Sequence, residues 1–254
     1  MKIRPASAFC LTLVLAATAA AQEANLTRSE VAALKAKIVT VQQAMGEDPA
    51  GYIKESEDFN LPTEANPAQG GKFWPITSGV SLRYGDRASV EGQANMEKAA
   101  AEFQTKYAAA LASGNAEAIT KMVEEMTRIQ TAAMAAAANP AARKEPLSVY
   151  VQLNQNPTVA IDPDAVVLEQ AGVIVLRDTN VSDGKGNVTV YVDPVALRAT
   201  QELSKIELRT ADGGVGLKTG VYHVVIQLNG TVADAEAWAQ TFDFGAMLGV
   251  IDPQ

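Results

Sequence analysis

The chain has 254 residues, of which 48% are hydrophobic, 20% charged and 6% aromatic, and its formal net charge is −8. This composition excludes disordered, collagen-like and disulfide-rich classes, and the length suffices for one large or two small domains with their own cores. Basic residues form no cluster, so nucleic acid and anionic membranes are poor partners, because phosphate binding needs a concentrated positive field.

The first 21 residues predict a secretory signal peptide. Lys2 and Arg4 form a basic start, an apolar stretch follows over residues 6–16, and small residues lead to a cleavage point between Ala21 and Gln22. Because the apolar stretch is too short to cross a bilayer, we expect cleavage and no membrane span in the mature chain. The expected location is therefore the periplasm or the exterior of a bacterial envelope.

Few catalytic side chains remain after this cleavage. The one cysteine, Cys10, leaves with the leader, so the mature chain has no thiolate nucleophile, disulfide or zinc-thiolate ligand. His223 is the one histidine, which argues against a catalytic triad and a multi-histidine metal site. We interpret His223 as a structural residue of an apolar strand, and we expect neither a metal nor a cofactor.

Residues 22–143 predict an alanine-rich helical region. Thr27 and Glu30 fit a capping box, and apolar residues then repeat every three or four positions to about Gly46. The same repeat predicts helices over 93–112 and 115–138. Asn139 and Pro140 would stop the second of these, and the short break at Ser113–Asn115 predicts an antiparallel hairpin. The expected apolar faces comprise Met96, Ala99, Phe103, Tyr107 and Leu111 on one helix and Ile119, Met122, Met126, Ile129 and Ala133 on the other.

A segment rich in proline and glycine, residues 47–92, interrupts this region, and we expect it to be ordered because long structureless connections are uncommon. Apolar residues on both sides of Ser78 and Gly79 predict a small β-hairpin that closes over the helices. Phe73, Trp74 and Tyr84 have two interpretations. They are buried anchors, or they form an exposed patch that binds a glycan or a partner protein.

Residues 144–254 predict an acidic α+β domain with 7 basic and 14 acidic side chains. Asp193 before Pro194 predicts the start of a helix over 195–203, Asp162 before Pro163 repeats this signal, and Thr231 begins the last helix. The expected fold class is α+β, with a mainly antiparallel sheet, helices on one face and a split strand–helix–strand arrangement as one candidate. Strands are expected at Leu147–Leu153, Val173–Arg177, Val188–Val192, Ile206–Arg209 and Gly220–Leu228, with Val166–Glu169 as either helix or strand.

Three hypotheses for function stay open. The preferred one is a non-catalytic protein that acts through protein–protein contact, including self-association, or as an envelope accessory. It rests on the missing catalytic sets and on the heptad-like helix faces. The second is a binder of a glycan or small ligand through the Phe73–Tyr84 segment. The third is an envelope hydrolase, which would need two carboxylates about 5–10 Å apart in a cleft.

Overall fold

The computed structural model describes residues 25–137, 143–155, 158–181, 183–198, 204–209, 214 and 216–253. The chain divides into two compact units, one from the described parts of Met1–Glu47, Glu57–Leu82 and Ser148–Gln254 and the other from Asp48–Ser56 and Arg83–Leu147. In the described residues the α-helices are α1 (Arg28–Ala44), α2 (Arg87–Ser113), α3 (Ala116–Ala137), α4 (Val232–Ala239) and α5 (Phe244–Leu248). The strands are β1 (Tyr52–Asn60), β2 (Asn66–Pro67), β3 (Phe73–Trp74), β4 (Ser78–Asp86), β5 (Leu147–Leu153), β6 (Thr158–Ala160), β7 (Val166–Gln170), β8 (Val173–Arg177), β9 (Lys185–Val192), β10 (Lys205–Glu207) and β11 (Val224–Thr231).

The predicted α+β class is confirmed. Helix α1 comes first, and the sheet has seven strands in the order β1-β4-β5-β11-β9-β8-β7. Strands β5, β11, β9, β8 and β7 pair antiparallel with their neighbours. Two small two-stranded sheets, β6 with β10 and β2 with β3, complete the strands.

Helix α1 begins as its sequence predicts. The Thr27 hydroxyl accepts a hydrogen bond from the Glu30 amide at 3.2 Å, and the Glu30 carboxylate accepts one from the Thr27 amide at 2.7 Å. This reciprocal pair satisfies two amides that have no partner within the helix. The hydrogen bond from the Thr27 amide is the largest cause that lowers the pKa of Glu30, and a second one from the Thr27 hydroxyl adds to it. The capping box predicted from Thr27 and Glu30 is confirmed.

One face of the sheet forms the main core. Valine, isoleucine and leucine alternate along the central strands, and the register brings them side by side, as in Leu153↔Val224↔Val192. Helix α4 packs on β8, β9 and β11, and α5 packs on β9 and α1. Full burial of each such side chain contributes about 1.5–3 kcal/mol. The residues of this face without solvent exposure are Val149, Val151, Leu153, Val173, Val175, Val188, Val190, Val192, Val224, Ile226 and Leu228.

The other face of the sheet carries a second, smaller core. Strand side chains such as Ile174, Tyr191 and Val225 pack there against Leu197 and Ile206. Because successive residues of a strand point to opposite faces, β8, β9 and β11 are apolar on both sides in this half of the sheet. Burial raises the pKa of Tyr191 despite a hydrogen bond with the Thr189 side chain.

The segment 47–92 is ordered but differs from its prediction. Ser78 and Gly79 begin strand β4 instead of turning a hairpin, and β4 joins the seven-stranded sheet beside β1. The short β3 pairs with β2 at Phe73↔Pro67 and Trp74↔Asn66. Strand β1 has the sequence YIKESEDFN at the edge of the sheet, where charges discourage pairing with another chain. The sequence of β1 has no alternation of apolar and polar residues that would predict a strand.

Two predicted helices of the C-terminal region also differ. Pro163–Ala165 forms a three-residue 3-10 helix, which the Asp162 carboxylate caps through the Asp164 amide at 3.0 Å. After it, β7 is a strand, as the alternative interpretation of Val166–Glu169 proposed. Residues 194–198 form a turn, and the rest of the predicted helix, 199–203, lies outside the described residues. In both places the side-chain cap is present, but the described residues directly after it form a 3-10 helix in one case and a turn in the other.

Candidate functional site: a helical hairpin with an uncharged face

Helices α2 and α3 form the antiparallel hairpin that the sequence predicts, and the chain reverses at two specialised residues. Gly114 ends α2 in the left-handed conformation, with φ of 66°. Its amide donates to the Leu111 carbonyl oxygen at 3.1 Å. The next residue, Asn115, accepts a hydrogen bond from the Ala118 amide at 3.0 Å and so caps α3. Glycine tolerates a positive φ and asparagine is a favoured N-cap, so this turn follows from local chemistry. The predicted stop at Asn139 and Pro140 lies outside the described residues.

A side-chain cap from the half-buried Asp86 also begins α2. The Asp86 carboxylate accepts hydrogen bonds from the Ser89 hydroxyl at 2.6 Å and from the Ser89 amide at 2.9 Å. The hydroxyl contact is the largest cause that lowers the pKa of Asp86. The cap defines where the hairpin leaves strand β4, because residue 86 is both the last residue of β4 and the N-cap of α2.

The seam between the two helices is only partly shielded from solvent. Phe103 and Tyr107 stack with ring centroids 5.4 Å apart. These two rings, together with Met122, Met126 and Ile129 of α3, are half-buried. Across α2 and the described side chains of α3, Ala110 is the one buried residue. The apolar stripe of this helix pair is therefore half-buried or exposed in the described residues.

The two flanks of the seam differ in charge. On one flank, a shallow groove is lined by Ala99, Phe103, Met122, Met126 and Ile129, with charged side chains at its rim, namely Glu102, Lys106 and Glu125. Three ion pairs of the hairpin lie within a single helix, and one of them is between the rim residues Glu102 and Lys106. Arg87 contacts Glu91, Lys106 contacts Glu102 and Lys121 contacts Glu117, at 3.6, 3.6 and 2.8 Å.

The residues of the opposite flank are uncharged, and we call it the uncharged face; Glu97 borders it and accepts a hydrogen bond from Gln93 at 3.2 Å. Residues three or four apart share one side of a helix, so two stripes define it. The stripe on α2 comprises Gln93, Met96, Ala100, Gln104, Tyr107 and Leu111. The stripe on α3 comprises Ala116, Ile119, Val123, Thr127, Gln130 and Met134.

Large apolar side chains on the uncharged face are open to solvent. Met96, Leu111, Val123 and Met134 are exposed by 38%, 55%, 45% and 65%. Single exposed apolar residues are ordinary, but contiguous apolar patches mark sites of protein contact. Four such residues lie on one face, separated by alanine, glutamine, threonine and half-buried seam residues.

The three aromatic residues of the predicted binding patch have different environments. Trp74 is 42% exposed on β3. Phe73 is half-buried, and the Lys218 ammonium lies 5.3 Å from its ring centroid. Tyr84 is only 4% exposed. A ligand could therefore reach Trp74 and part of Phe73, but not Tyr84. The predicted cleavage site at Ala21 and Gln22 lies outside the described residues.

A buried polar cluster surrounds Asp193, which is fully buried. One carboxylate oxygen accepts hydrogen bonds from the Val195 and Ala196 amides at 2.9 and 3.0 Å, and the other accepts one from the Arg209 amide at 2.8 Å. The Arg209 guanidinium lies 3.8 Å from the same carboxylate and donates to the Tyr222 carbonyl oxygen at 2.6 Å. This network joins the turn after β9 to the segments around 209 and 222.

His223 belongs to the same cluster and precedes β11 instead of lying within it. Its ring nitrogens contact the carbonyl oxygens of Arg209, at 3.0 Å, and of Gln155. Burial is the largest influence on its pKa and lowers it, whereas the carbonyl contacts and the charge of Asp193 oppose that shift and the charge of Arg209 adds to it. Both ring nitrogens are thus engaged with the backbone, which agrees with a structural role.

A second, more open groove contains acidic side chains, but these have structural partners. Glu236 accepts a hydrogen bond from Arg177 at 3.3 Å, and Asp178 accepts hydrogen bonds from the amide and side chain of Asn187 at 2.9 and 2.8 Å. Arg177 also donates to the Asp164 carbonyl oxygen. These contacts link β8 to β9 and α4, so the acidic side chains of this groove have a structural role.

The described part of the chain contains no group of three or more histidine, cysteine, aspartate or glutamate side chains that could hold a metal ion. None of the helices in this part of the chain has the length and apolar character needed to cross a membrane.

Comparison of the chain with protein-family models, with curated proteins and with solved structures found no match in any of the three.

Proposed function

We propose that this is a secreted or periplasmic protein that acts through protein–protein contact, and that the uncharged face of the α2–α3 hairpin is the contact surface. The observation that carries the proposal is the exposure of Met96, Leu111, Val123 and Met134 on one charge-free side of two long helices. Water contact with these side chains is unfavourable, and a protein surface that covered them would recover about 25 cal/mol per Å² of apolar area.

The composition of the face fits recognition by another helical surface. Methionine is flexible and polarizable and fits varied partner shapes, and alanine lets helix backbones approach closely. Charged residues are depleted at the centres of protein interfaces, as they are here.

The native methionines provide a test by oxidative footprinting. In dilute purified mature protein, Met96 and Met134 should oxidise quickly because both are exposed. In the intact envelope of the producing cell, we expect their oxidation to be several-fold slower, since a partner covers them. Mass spectrometry of the tryptic peptides reports each rate.

The same chain contains the controls. Met45 and Met247 are buried and should oxidise slowly in both samples, whereas Trp74 is exposed on β3 and reports access of the reagent. If Met96 and Met134 oxidise at the same rate relative to Trp74 in both samples, the uncharged face has no partner in the cell and the proposal is wrong.

A further inference from the structure

We infer that the occupant of the uncharged face is a second copy of this chain, so that two hairpins related by a twofold axis form a four-helix bundle. The inference rests on the proposed function and names its partner. Three observations support it: the charge of the hairpin relative to the chain, the size of the face and the side-chain chemistry of the face.

The hairpin is the nearly neutral part of an acidic protein. Residues 87–137 carry five basic and six acidic side chains, a net charge of −1, whereas the whole chain carries −8. Two copies that approach through other surfaces repel each other, because like charges face each other there. Repulsion is smallest where the hairpins meet.

The size of the face matches that of a stable interface. Helix α3 has 22 residues and α2 has 27, so the shared length is about 33 Å at 1.5 Å per residue. Two helices packed about 8–10 Å apart present a width of about 20 Å. The resulting footprint of about 600–700 Å² approaches the roughly 800 Å² that each partner buries in a standard interface.

The side chains of the face suit contact with a second copy of the same face. A twofold interface brings the same patch of both copies together, so that residue i of one copy meets residue j of the other and the patch must be self-complementary. Apolar side chains are self-complementary, and amides and hydroxyls both donate and accept, so Gln104, Thr127 and Gln130 can pair with polar residues of the second copy.

Two adjacent alanines of α2 give a matched test. Ala100 lies on the uncharged face and Ala101 on the outer side, and both are exposed. Lysine is a good helix former, so Ala100→Lys and Ala101→Lys should both retain the helical circular dichroism of the mature protein. Sedimentation equilibrium should show a dimer for the unmodified chain. We expect Ala100→Lys to weaken it at least about tenfold, since each copy then brings an unpaired charge into the interface, and Ala101→Lys to change it less than about twofold.

A mature chain that stays monomeric up to about 100 μM would overturn the inference, as would a dimer that both variants weaken equally. Footprinting separates this failure from that of the proposed function. A monomeric purified chain whose Met96 and Met134 are nevertheless protected in the envelope has a different protein partner. Without protection in the envelope, the proposed function fails as well.

Discussion

Replacement of Asp193 by alanine is expected to lower the free energy of unfolding by about 3–5 kcal/mol. The carboxylate is fully buried, accepts hydrogen bonds from three backbone amides and faces the guanidinium of Arg209, whose side chain is 9% exposed. Alanine would leave those amides without an acceptor and the arginine without its counter-charge inside the protein. Removal of one partner from a buried ion pair costs far more than the pair contributes, because the other charge stays buried.

Urea denaturation of the purified mature protein measures this effect, and Asp193→Asn is the matched control. Asparagine retains one acceptor oxygen for the Val195 and Ala196 amides but loses the charge, so its loss of stability should lie between that of the alanine variant and zero. A loss below about 1 kcal/mol for Asp193→Ala would mean that solvent reaches the cluster and that the network around 193, 209 and 222 does not hold these segments together.

Replacement of Asn154 by alanine is expected to cost about 3–5 kcal/mol for a different reason. The side-chain NH₂ of Asn154 donates to the carbonyl oxygens of Ile76 and Gly220 at 3.0 and 2.8 Å, and its side-chain oxygen accepts a hydrogen bond from the Tyr222 backbone amide at 2.9 Å. The residue is buried and has φ of 58°, a left-handed conformation that asparagine adopts more readily than alanine. The alanine variant therefore loses three hydrogen bonds and acquires backbone strain.

Asn154→Gly separates these two contributions. Glycine adopts a positive φ without strain but supplies no amide, so it should be more stable than Asn154→Ala by about 1 kcal/mol and still well below the unmodified chain. Thermal and urea denaturation give both differences. Equal stability of the glycine variant and the unmodified chain would show that the side-chain hydrogen bonds contribute nothing.

Elements with strong local signals could be predicted from the sequence. The capping box at Thr27, the Gly114–Asn115 turn and the repeat of apolar residues locate α1, α3 and the end of α2 to within a few residues, because helix capping and periodicity depend on neighbouring residues. Helix α2 begins at Arg87, well before the predicted residue 93, because its cap is Asp86. Strand β8 was predicted with its observed bounds, since an apolar run bounded by Gly172 and Asp178 is typical of a buried strand.

Elements whose position depends on residues far away in the chain could not be predicted from the sequence. Strand β1 carries charges because it lies at the sheet edge, and nothing in its sequence indicates its place beside β4. Asp193 was predicted as a helix cap, and its oxygen does accept the predicted amide hydrogen bonds. Its partner Arg209, however, lies 16 residues further along the chain and is brought close by the fold. The cap was therefore visible in the sequence and the ion pair was not.

The candidate site lies between these two cases. The heptad-like spacing identified the seam of the hairpin, including Phe103 and Met126, and it favoured protein contact as the function. The exposure of Val123 and Met134 on the uncharged face depends on which side of the seam stays uncovered, which is a property of the fold. The two stripes of the uncharged face could have been found in the sequence, because on each helix they are the uncharged positions next to the predicted apolar face.

Photo-crosslinking from the uncharged face tests the central claim most directly. A photoreactive amino acid at Val123, in the full chain made by its own cell, should give a discrete adduct with protein on illumination. The same group at Lys121, on the outer side of the same helix and paired with Glu117, should give little. Equal yields at the two positions, or no adduct from Val123, would contradict the claim that this face of the hairpin is where the protein meets its partner.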